Sequence, residues 1–132
     1  MTRIAAVVAL LVLASAPAGN AVGNKFFNHV DTPVSITYSA SGDAQIVLDP
    51  PNATVNIAGY RKVSVRIGTA KATTFRINMG KISNSTLSQF FGGTITQNTR
   101  TFDVVGPEMV LWLRGGPPNT ADTVQLWVYL TE

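Results

Sequence analysis

Between Phe26 and Leu130 apolar and polar residues alternate in short runs that are broken by Gly, Pro, Asn and Asp. Val63, Val65 and Ile67 alternate with Lys62, Ser64 and Arg66; Phe75, Ile77 and Met79 with Thr74, Arg76 and Asn78; Phe102 and Val104 with Thr101 and Asp103. A period of two sends successive side chains to opposite faces of a strand, so each run buries one row and wets the other. No stretch keeps a 3.6-residue period long enough for a helix. The pattern predicts strands over 25–30, 34–40, 45–48, 54–57, 60–68, 73–79, 87–91, 99–105, 109–114 and 123–130. Turn signals fall between them, at Asp31-Thr32-Pro33, Ser41-Gly42-Asp43, Asp49-Pro50-Pro51-Asn52, Gly92-Gly93, Gly106-Pro107 and Gly115 to Asn119. Eight to ten short strands at this spacing predict an all-β domain, two antiparallel sheets packed as a β-sandwich.

The last predicted strand departs from simple alternation. Val124, Leu126, Val128 and Leu130 form its apolar row, which leaves Trp127 and Tyr129 on the other side with Thr123 and Gln125. An aromatic pair at i and i+2 on a wet sheet face is a platform on which sugar rings stack. The ordinary alternatives are packing under a loop and burial between two subunits. Trp112 alternates with Val110 and fits a core position as well as a surface one.

The start of the chain obeys a different rule. Arg3 is followed by an unbroken apolar run, Ile4 to Leu13, and then by the small residues Ala14-Ser15-Ala16-Pro17-Ala18. A basic n-region, a short apolar h-region and a small-x-small site are the parts of a secretory signal peptide. Residues 1–18 are read as that peptide, with cleavage as late as residue 21, and 19–132 as a single sandwich domain. The run is shorter than the roughly 20 apolar residues that a membrane-crossing helix needs. With no cysteine to carry a lipid, no membrane span or anchor is expected after cleavage. The expected location is secreted or periplasmic, and a disulfide-free exported domain must be held by its core alone.

Composition then narrows the chemistry. The chain has no cysteine and one histidine, His29, and its acidic residues are scattered singly with no calcium-loop spacing. No catalytic constellation is apparent, so a non-enzymatic role with no cofactor is expected. Loop carboxylates at Asp31, Asp43, Asp49 and Asp122 leave room for a structural calcium ion that no motif specifies. Seven basic residues and no acidic one lie strictly between Asp49 and Asp103, within a net charge of +3. Lys62, Arg66 and Arg76 fall on wet faces; if their strands are neighbours they make a basic stripe suited to acidic polysaccharide. The plain reading of such charges is a solvated face that protects a sheet edge. Nucleic acid is a poor partner for an exported domain of this charge.

The succession Val63-Ser64-Val65-Arg66-Ile67, Phe102 to Pro107, Met109 to Leu113 and Val124 to Leu130 resembles the C-terminal part of galactose-binding-like jelly rolls. These are the architecture of discoidin domains and many carbohydrate-binding modules. The likeness covers roughly half the chain and rests on strand pattern, without the disulfide that often ties discoidin termini. The texture is also similar to that of small secreted bacterial proteins. The resemblance implies a jelly-roll sandwich and glycan binding, and carries over no sugar-contacting residue. The sequence thus points to an exported glycan-binding module with Trp127, Tyr129, Arg66, Arg76 and Lys62 as candidate contacts. The alternative is a self-assembling surface protein, a homo-oligomer joined through Trp127 and Tyr129.

Overall fold

The computed structural model describes residues 23–132; the expected signal peptide lies outside the described residues. Nine strands follow one another: β1 Lys25–Thr37, β2 Ala44–Ile46, β3 Val55–Asn56, β4 Lys62–Thr69, β5 Thr74–Gly80, β6 Ser88–Thr94, β7 Arg100–Asp103, β8 Glu108–Arg114 and β9 Ala121–Thr131. The only helix among the described residues is one 3₁₀ turn, Ser85–Leu87, before β6. No described helix is long and apolar enough to cross a membrane.

All pairings are antiparallel and form two sheets. The first runs β1-β9-β4-β7; the second runs β2-β8-β5-β6, with β3 also on β8. Their inner faces make the core that the alternation predicts. Val63, Val65, Ile67, Val124, Leu126, Val128 and Leu130 come from the first sheet, and Phe75, Ile77, Met79, Met109, Leu111 and Leu113 from the second, each at most 4% exposed. Burying such side chains stabilises by about 1.5–3 kcal/mol apiece, the force that holds this disulfide-free fold.

Two local expectations change. The run read as two strands around Asp31-Thr32-Pro33 is one strand, β1, whose register on β9 shifts between His29 and Val34. Pro33 has no N–H to give the ladder, so the strand bulges there and resumes. Gly92 and Gly93, read as a turn, lie inside β6 opposite Arg76 and Phe75. A Cβ on Gly92 would come within 2.4 Å of the Phe75 carbonyl oxygen, so glycine here permits close strand approach.

A polar clamp closes one end of the sandwich. The Tyr38 side chain, 1% exposed, donates its hydroxyl to Asp122 Oδ2 at 2.6 Å and accepts the Ala72 N–H at 3.1 Å. Asp122 also accepts the Lys71 and Thr123 amides, at 2.6 and 2.8 Å. Burial first, and the adjoining Asp122 carboxylate second, push the Tyr38 pKa up to about 12. Gly116 lies flat on the ring, where a Cβ would stand 2.4 Å from two ring carbons.

Candidate ligand-binding face

The outer face of the first sheet is where the aromatic pair of β9 lands. Because Val128 and Leu130 point into the core, Trp127 and Tyr129 must point out, and the structure places them there. Phe26 of β1, register partner of Tyr129, joins them. Its ring stands edge-on to Trp127 at 6.0 Å and to Tyr129 at 5.7 Å. Phe26 is 53% exposed and Tyr129 36%. A large apolar group left in water costs hydrophobic stabilisation that burial would have supplied, so three aromatics gathered on an open face suit a surface that meets a partner.

The geometry around the rings is that of a cleft. Asn24, Phe26, Trp127 and Tyr129 line a cavity of about 450 Å³. The Asn24 amide donates to the Tyr129 hydroxyl at 3.1 Å, and its carbonyl accepts the Glu132 N–H at 3.3 Å. These bonds fix the rim at the meeting point of β1 and β9. On the other side of Trp127 a second cavity of about 240 Å³ is lined by Val30, Arg66, Gly68, Gln125, Leu126 and Trp127. Gln125 donates to the Val30 carbonyl at 3.1 Å, and Gly68, lacking a side chain, leaves space between Arg66 and Gln125. The cleft thus offers ring faces and edges, amides, a guanidinium and no carboxylate lining.

The condition for a basic stripe, that the strands carrying Lys62, Arg66 and Arg76 be neighbours, is not met. Arg66 lies on the platform, paired in register with Trp127. Lys62, also on β4, is held by the Asp103 carboxylate of β7 and is neutralised there. Arg76 stands on β5, in the other sheet, where its guanidinium sits 4.7 Å from the centre of the Phe90 ring. Strands β4 and β5 follow one another in the chain and never pair, so the basic stripe is absent.

Three of the other candidate groups, His29, Asp43 and Asp122, serve the fold. The His29 ring donates from Nε2 to the Leu48 carbonyl at 3.0 Å, tying β1 to the segment after β2. Asp43 meets Arg114 at 3.2 Å, and Asp122 belongs to the Tyr38 clamp. Among the described residues no three His, Asp or Glu side chains converge as metal ligands would. Trp112 is on the outer face of the second sheet, half-buried between Gln45 and Arg76 in register.

Sequence reasoning missed Phe26, Asn24 and Gln125. The signal for Phe26 was present in Phe26-Phe27: adjacent strand residues face opposite ways, so one of the two rings had to be outside. Nothing local marks Asn24, whose role arises only where the two ends of the described chain meet.

No protein-family model matches the chain, and no curated protein matches it. Two solved structures align with it over most of their length. One, BiXyn10A CBM1 in its apo form, a carbohydrate-binding module, covers 82% of this chain and 97% of its own at 7% identity and a TM-score of 0.45. The other, the SPBc2 prophage-derived protein YomS, covers 83% and 96% at 13% identity and a TM-score of 0.44.

Proposed function

We propose that this chain is an exported, non-catalytic binding module whose outer β1-β9-β4 face receives a glycan. The observation that carries the reading is the open cleft walled by Phe26, Trp127 and Tyr129. Sugars present flat C–H faces that pack on aromatic rings, and their hydroxyls match amide donors and acceptors such as Asn24 at the rim. The signal-peptide pattern of residues 1–18 supports export. Taking β2 and β3 as one interrupted strand on β8, the sheet orders support a jelly-roll connectivity, in which each sheet interleaves early and late strands.

The test is retention on immobilised polysaccharides with the melting temperature as control. Trp127→Ala is expected to abolish retention while shifting the melting temperature by a few degrees at most. Retention equal to wild type overturns the reading. A second reading, self-association through the same face, is favoured by the exposure of Phe26 and of Val30, 53% and 40%. Light scattering separates the two: association predicts a dimer that Trp127→Ala turns into monomer, and a monomeric wild type removes it.

A further inference from the structure

We infer that the cleft is selective for anionic glycans, with a sugar ring against Trp127 and its carboxylate or sulfate on Arg66. The inference rests on the glycan reading and adds the charge class of the ligand. Three observations converge on it. The two cavities share Trp127, so a chain lying along the face passes from the aromatic rim directly to Arg66. Arg66 and Trp127 are antiparallel register partners, which places their Cα atoms roughly 5 Å apart with both side chains on the same outer face. That spacing lets one saccharide unit touch a ring face and a guanidinium together.

The third observation is the state of the charge. Lys62 has its counter-ion in Asp103, and Arg76 is committed to the Phe90 ring on the opposite sheet. The Arg66 side chain is exposed and takes part in none of the ion pairs or side-chain hydrogen bonds found among the described residues. No carboxylate lines either cavity, so an anion entering the cleft meets one uncompensated guanidinium and no repelling wall. A guanidinium presents paired N–H donors matched to planar or tetrahedral oxyanions, and a charge-assisted bond of this type changes affinity by roughly tenfold or more. Gln125, held by Val30, keeps its carbonyl oxygen for a neighbouring hydroxyl.

The experiment measures binding of the protein to polygalacturonate, dextran sulfate and neutral dextran, for wild type, Arg66→Gln, Arg76→Gln and Trp127→Ala. Wild type is expected to prefer one or both anionic polymers, and which of them is bound tells carboxylate from sulfate. Arg66→Gln should weaken that binding roughly tenfold and flatten its salt dependence. Arg76→Gln removes the same charge from the other face and should leave it unchanged. Equal loss in both arginine variants would mean that net charge does the work, and would overturn the inference. So would an Arg66→Gln protein with wild-type preference, or a wild type that prefers the neutral polymer, while loss of all binding in Trp127→Ala keeps the glycan platform itself standing. Full binding by Trp127→Ala removes the platform reading instead.

Discussion

The outer faces of the two sheets are built from similar parts, an arginine among aromatic side chains that include an exposed phenylalanine, Phe26 or Phe90, yet the arginine is engaged on one face and free on the other. On the second sheet Arg76 lies over Phe90, and Val110 is only 3% exposed although it points away from the core. Around Val110 that face buries Arg76 Nε and Asn78 Oδ1 without hydrogen-bond partners. On the first sheet the Phe26 ring meets those of Trp127 and Tyr129 edge-on, and the Arg66 side chain stands beside them without a partner. The cation is stacked on a ring on one side, and it remains available on the other. The composition of a face therefore says little about its purpose until the pairings are known.

The sharpest way to break the comparison is to place a carboxylate on each face. Val110→Asp should cost about 3 kcal/mol or more, because an ion is forced into a closed site without a partner. Gln125→Asp, on the open face, should stay within about 0.5 kcal/mol. Equal urea midpoints for the two variants would show that the faces do not differ.

The Tyr38 clamp gives the next largest effect. Tyr38→Phe leaves the Ala72 amide without its acceptor and should cost about 1–3 kcal/mol in urea denaturation. Its pH signature follows from the raised pKa. The folded state holds the phenol proton up to about pH 12, whereas an unfolded tyrosine loses it near 10. The contribution is complete below pH 10 and lost as the pH climbs towards 12. Wild-type stability should therefore fall across that window, with Tyr38→Phe flatter over it.

Smaller effects sharpen the contrast. Phe90→Ala removes the ring beneath Arg76 and should cost under about 1 kcal/mol from that contact, read as a shift in melting temperature. Lys62→Gln opens an exposed ion pair and should change stability by no more than about 0.5 kcal/mol at physiological salt.

How far the sequence could be read follows from the same physics. Alternation reports which residues of a strand share a side, and it located the core rows of β4, β5 and β9 correctly. It carries no information on which sheet a strand joins. Arg66 and Arg76 have identical local patterns and end on opposite sides of the molecule. The outward direction of Trp127 and Tyr129 was readable because a pure apolar row faces them; Phe26 was obscured by its neighbour Phe27. The bulge at Pro33 and the strand glycines of β6 reflect tertiary pairing overriding local turn chemistry.

The meeting of the chain ends has a practical reach. Gly23 bonds Glu132, and Asn24 lines the cleft, so both ends of the described chain leave the fold at the rim of the aromatic platform. A tag, a surface linker or a fused domain attached at either end would be anchored beside the very surface under assay. The Gly115–Asn119 loop precedes the other end of the 11-residue β9, roughly 35 Å away. Immobilisation through that loop would leave the platform facing solution.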